Sequence, residues 1–194
     1  MSGIGFTVGL IVALFVVARF WAERHDVCLT LRDPVFWSIA VLACAIARID
    51  TTHGVRATIV LAACAVCAAT DRQTGYIFDV VVGSAGAALL GYIAATSAIG
   101  DAGGAIVCGG AVLLPYLATR GRGMGLGDVK LAALIGAGLS VRNGLFAIAA
   151  AFVAGAVVAI VGLASGRFER GDAMRFAPYL AAGSIVSVAL YGAP

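Results

Sequence analysis

Charge is what this sequence has least of. Only 12% of its 194 residues are charged, about half the ~25% usual in a soluble domain. Lysine is all but absent: the 13 basic residues are arginines apart from Lys130. The net charge of +3 is spread over single positions, with no run of Lys or Arg and no basic–aromatic stripe, which argues against a nucleic-acid partner. Histidine is limited to His25 and His53. Cys64 and Cys67 form a lone Cys-x-x-Cys pair with no second pair to complete a zinc site, which needs four ligands. No metal is expected, and Cys44, Cys64, Cys67 and Cys108 in their apolar surroundings read as buried free thiols.

What fills the sequence instead is apolar. Hydrophobic residues make up 62% of the chain and the mean hydropathy is +1.05. The expectation is an all-α polytopic membrane protein. Apolar runs broken by charged and turn residues fall at 4–18, 35–47, 57–69, 76–99, 103–118, 129–141, 145–164 and 178–191, giving about eight transmembrane helices. Some are shorter than the ~20 residues that cross a ~30 Å hydrocarbon core, 35–47 and 129–141 most obviously. No Lys or Arg precedes the first run, as it would in a signal peptide, so that run reads as a retained span. The polar connections 19–34 and 165–177 are too short to fold alone, leaving one integral-membrane domain over 1–194.

The charges give an independent reading of topology. With the N-terminus outside and eight crossings, the cytoplasmic side holds Arg19, Arg24, Arg32, Arg72, Arg120, Arg122, Lys130, Arg167, Arg170 and Arg175. The outer side holds only Arg48, Arg56 and Arg142. That is the positive-inside pattern of a cytoplasmic (inner) membrane protein. Dropping any one run flips every later loop and spoils the split, so the short runs are kept. Trp21, Trp37 and Tyr76 fit interfacial anchors.

Acidic residues at the edge of membrane spans are costly and usually functional. Most of the ten acids read as solvated loop charges. Asp71, which closes the run 57–69, and Asp128, which opens 129–141, fall at the same cytoplasmic depth. Helix packing can bring them together, and neighbouring carboxyls in a poorly hydrated site share one proton, as in aspartic proteases. One carboxylate then takes a proton from water while its protonated partner stabilises the carbonyl oxygen. The proton belongs to the pair, so neither residue is assigned as acid or base. Gly121, Gly123, Gly125 and Gly127 precede Asp128 and allow close backbone approach to a second helix and an extended substrate. A phosphate-cradling loop would need a strand before it and a Gly-Lys-Ser/Thr, and neither is present.

At these residues the chain resembles the type IV prepilin peptidase family of membrane aspartic proteases. Gly123 to Leu139, GMGLGDVKLAALIGAGL, is similar to the family's Gly-x-Gly-Asp motif with its following Val-Lys-Leu. Ala69 to Asp79, ATDRQTGYIFD, resembles the family's first Asp motif, and Arg175 to Gly183, RFAPYLAAG, the Pro-containing start of the last span. The resemblance implies Asp71 and Asp128 as the catalytic pair. Gly125, Gly127, Lys130, Asp79 and Pro178 stand as substrate-binding or supporting positions. It further implies a prepilin-like or pseudopilin substrate, the lipid bilayer as surroundings, and no cofactor. Phe78 stands where the family usually has Pro, a departure in the turn after Asp71 that leaves the carboxylates in place. Longer members carry a cysteine-rich cytoplasmic insert after the first span and also methylate the new N-terminus. Residues 19–34 leave no room for it, which implies a peptidase without methyltransferase activity.

Asp79 has two readings, a partner for Asp71 or substrate, and a helix-start charge. Lys130 also has two, a cation facing the acidic pair and a side chain snorkelling to lipid headgroups. The alternative function is a proton-coupled transporter, which would hold its acids near the bilayer midplane rather than at span ends.

Overall fold

The structure, a computed structural model, describes residues 3–23, 54–96, 103–121, 123–169 and 174–192. Among them are six α-helices and no strand: α1 (Gly3–Glu23), α2 (Gly54–Thr74), α3 (Asp79–Thr96), α4 (Gly103–Ala118), α5 (Leu126–Ala164) and α6 (Ala177–Tyr191). Of these, α2, α3 and α5 are long and apolar enough to cross a membrane. The expected run 35–47 lies outside the described residues, as do His25, Cys28, Trp37, Cys44 and His53.

The expected runs 129–141 and 145–164 fall within one helical element, α5, which is broken at Ser140 (φ 67°, ψ 170°). The chain folds back there: a Cβ on Gly144 would sit 3.0 Å from the Gly136 Cα. An unbroken helix would carry those residues ~12 Å apart, at 1.5 Å per residue. Residues 126–139 therefore form an outgoing arm and 141–164 a returning one.

α2 is the central helix. Every side chain from Arg56 to Asp71 is buried, and α1, α3, α5 and α6 all pack against it. Its sequence explains the position. Ala57, Ala62, Ala63, Cys64, Ala65, Cys67, Ala68 and Ala69 are small on every face, so neighbouring helices approach from all sides. α4 lies against the outgoing arm, where a Cβ on Gly104 would run into the Gly136 carbonyl. α6 meets the returning arm just as closely, with Gly183 against the Ala147 carbonyl. The periphery stays apolar: Val12, Val16 and Phe20 on α1, Ile106 and Leu114 on α4, and Val153, Val157 and Ile160 on α5 are exposed. Such a surface is unfavourable in water and matches lipid tails, which are as apolar as these side chains.

The helix directions bring four termini to one end of the bundle: the end of α2 and the starts of α3, α5 and α6. α1 finishes there too, with Trp21 packed on Phe78 (ring centroids 4.7 Å apart). The far end is closed by the turn after Ser140. Asn143 Nδ2 donates to the Gly192 carbonyl (3.2 Å) and Ser187 Oγ to the Asn143 carbonyl (2.8 Å).

Candidate active site

α2 ends on a glycine. Gly75 adopts φ +76°, and its N–H donates to the Asp71 carbonyl (2.8 Å), a left-handed helix stop. Thr74 reinforces the stop, its hydroxyl donating to the Thr70 carbonyl (2.8 Å) and accepting the Tyr76 N–H (3.1 Å). The chain then turns through residues 75–78. The Phe78 carbonyl accepts the Val81 N–H (3.0 Å) as α3 begins, and the Phe78 ring is buried against Trp21. The Phe78 ring thus serves as the plug that ties this turn to α1.

Asp71, in the last turn of α2, reaches across to α6. Its Oδ2 accepts the Ala177 N–H (3.2 Å), the first helical residue after the N-cap Phe176. A helix start leaves its first N–H groups unpaired and carries partial positive charge, which suits a carboxylate. Pro178 at the following position has no N–H to offer. It shapes the helix start, and the structure puts it beside the Asp71 contact rather than on the cavity wall.

Asp128 sits in the first turn of α5. Its Oδ2 accepts the Gly125 N–H (3.1 Å), and its own N–H donates to the Gly125 carbonyl (3.2 Å), a closed loop that fixes the side chain over the helix start. Its Oδ1 is buried and has no hydrogen-bond partner among the described residues. Gly127 explains how α5 comes so near the turn after α2. A Cβ there would lie 2.8 Å from the Ile77 Cβ, closer than two such carbons can stand. Gly125 is different: an added Cβ would be 3.6 Å from Asp128 Oδ2, an ordinary contact. What Gly125 supplies is its N–H.

Asp71 and Asp128 are 6% and 7% exposed, and both line one cleft of about 670 Å³. The two carboxyls stand near enough to interact electrostatically. One wall is Tyr76, Ile77 and Asp79, the second Met124, Gly125, Gly127 and Lys130, the third Met174, Arg175 and Phe176. Lys130 does not turn to the buried carboxyls. Its Nζ pairs with Asp79 Oδ1 (2.7 Å) at the cleft mouth, with both side chains about half exposed or more. So the two residues with double readings answer each other, and their ion pair ties the start of α3 to the start of α5.

Of the residues singled out by sequence, Asp71, Asp128, Gly125, Gly127, Asp79 and Lys130 meet on this cleft, and Pro178 stands behind it. Sequence reasoning did not single out Ile77, Met174, Arg175 or Phe176, nor the Ala177 N–H. Arg175 was visible as a topology charge and as the first residue of the RFAPYLAAG stretch, but without a role at the site. It donates to the Arg72 carbonyl and stands near enough to Asp71 for its charge to be felt there.

A buried carboxyl pair fixed by backbone donors, on a cleft lined by both apolar and charged side chains, is suited to moving protons. Comparison with curated proteins and with solved structures finds no match. A family model does match: that of the type IV leader peptidase family, over residues 58–160, a span that holds both aspartates and three of the four helix termini around the cleft. The chain belongs to the type IV leader peptidase family.

Proposed function

We propose that this protein is a membrane aspartic endopeptidase that removes the leader peptide of type IV prepilin-like or pseudopilin precursors, with Asp71 and Asp128 as its catalytic pair. The observation that carries the reading is the meeting of two buried carboxyls from different helices on one cleft, in a chain of this family. Each carboxyl has one oxygen tied to a backbone N–H, which orients it without cancelling its charge by a salt bridge. The ionised member of the pair takes a proton from water as the water oxygen attacks the scissile carbonyl carbon. The protonated member donates to the carbonyl oxygen; on collapse the C–N bond breaks as the amine takes the proton that the first carboxylate removed from water, and the oxygen's proton returns to the second as the new carbonyl forms. Burial and mutual repulsion disfavour two negative charges at once, so the pair holds a proton between them.

The cleft end of the bundle is read as cytoplasmic. Arg72, Lys130 and Arg175 gather there, while Arg56 and Arg142 lie towards the other end, a grouping that supports the positive-inside assignment. Eight spans, an inner-membrane location and a single domain over the chain complete the proposal. The transporter reading is not favoured, since both acids sit at a bundle end rather than at mid-depth. Peptidase activity without N-methylation follows from the short 19–34 connection.

The test is to incubate the purified protein in detergent with a leader-bearing prepilin and a labelled methyl donor. The expected result is a product shortened by the leader, with no label at its new N-terminus. Failure to cut any of several pilin-like precursors would overturn the peptidase reading, and label on the product would overturn the single-activity reading.

A further inference from the structure

We propose that Arg175 is a positioning residue for the peptidase reaction, one half of a reciprocal clasp between α2 and α6 that holds Asp71 in place. This rests on the reading of Asp71 as a catalytic residue. The clasp has two contacts running in opposite directions. Asp71, from the end of α2, accepts the Ala177 N–H at the start of α6 (3.2 Å). Arg175, from the lead-in to α6, donates to the Arg72 carbonyl at the end of α2.

Both contacts answer a need of the backbone. The last carbonyls of a helix have no intrahelical donor. In a longer α2 the Tyr76 N–H would serve Arg72, but that N–H goes to the Thr74 hydroxyl, so the guanidinium takes the place at the helix end. The charges also suit the helix dipoles, a carboxylate at the start of α6 and a cation at the end of α2. Neither contact alone fixes the register of α6 against α2, because each is a single bond that a small slide would break. Together they pin two points on each side.

The surroundings explain why the lead-in needs pinning. On its inner side Phe176 packs on Phe152 (centroids 5.0 Å apart), and a Cβ on Gly155 would lie 3.2 Å from Met174 and 3.3 Å from Phe176. These apolar contacts hold depth but carry no direction along the helix. Arg175 is exposed on the cleft side, where its guanidinium supplies the directional contact. Its place on the cleft wall also keeps a fixed positive charge beside Asp71. An arginine is suited to this, since its planar fork keeps charge and donors together.

The experiment compares wild type with Arg175→Met and Arg175→Lys in detergent, with Asp71→Asn alongside. Two readouts are taken: leader-cleavage kinetics, and amide hydrogen exchange of peptides covering 174–178. For Arg175→Met the expected result is a fall in kcat of ~10-fold or more, from a misplaced catalytic group. KM stays within about twofold, because substrate binding is not what is lost. Exchange at the start of α6 becomes faster. Arg175→Lys, which keeps one cationic donor, recovers most of the rate and the protection. Unchanged kcat and exchange in Arg175→Met would overturn the clasp. So would a change in KM alone, which would make Arg175 a substrate contact. Full activity in Asp71→Asn would instead sink the catalytic reading beneath it, and the exchange readout would still report on the clasp itself.

Discussion

Asp71→Asn and Asp128→Asn are each expected to slow leader removal by ~10³-fold or more, within the range that a positioned acid or base contributes. The double variant is expected to be little worse than either single one. Asparagine keeps the size of the carboxylate and can still accept from the Ala177 or Gly125 N–H. It cannot take a proton from water or hand one to the leaving amine. If the two carboxyls work on one water and one carbonyl, removing either abolishes the shared step, and the losses do not add. Single-turnover cleavage rates of the four proteins in one detergent decide it. Losses that add in the double variant would mean that the aspartates serve separate steps.

The second large effect falls on Gly127. Gly127→Ala is expected to lower kcat by ~10²-fold, the scale set by a displacement of about 1 Å at a catalytic group. The added methyl would lie 2.8 Å from the Ile77 Cβ. Ile77 cannot swing aside at its Cβ, so the start of α5 and the 75–78 turn must separate, and Asp128 moves away from Asp71. Gly125→Ala is the control. Gly125 has φ −86°, which any residue adopts, and its added Cβ makes only an ordinary contact. Its N–H to Asp128 is kept, so activity is expected within about threefold of wild type, as for a substitution that disturbs no packing. Ile77→Gly in the Gly127→Ala background removes the opposing carbons and is expected to restore part of the rate. Equal damage from the two alanine variants would show that close approach is not what Gly127 provides. Both are read from kcat and KM on the same prepilin substrate.

The contrast between these two glycines shows where the sequence stops being informative. Among the described residues each helix overlaps an apolar run, because membrane helices are delimited by charge and turn residues. The run 103–118 coincides with α4, and 178–191 misses the start of α6 by one residue. The apolar runs 129–141 and 145–164 leave the break at Arg142, Asn143 and Gly144. The backbone bends instead at Ser140, a residue with no strong turn signature, and the close packing of Gly136 on both Gly104 and Gly144 accounts for the fold-back. The two aspartates were legible because a carboxylate at a span end stands out against so little charge. Their holders were not. That Gly127 faces Ile77, that Lys130 meets Asp79, and that Arg175 returns to Arg72 are pairings between distant segments, and a single sequence carries no signal for them. The central place of α2 had a signal, its small residues on every face, but that composition suits any closely packed span.

Binding of a leader-spanning peptide whose scissile amide is replaced by a tetrahedral hydroxyl-bearing isostere tests the central claim most directly, that Asp71 and Asp128 act together on one reacting carbonyl. Its Kd would be measured for wild type, Asp71→Asn and Asp128→Asn, beside that of the parent peptide. The account predicts that wild type binds the isostere at least ~10²-fold more tightly than the parent, as a transition-state mimic should, and that each single variant loses that preference. Undiminished preference in either variant would contradict it, because that carboxyl would then have no part in holding the tetrahedral centre.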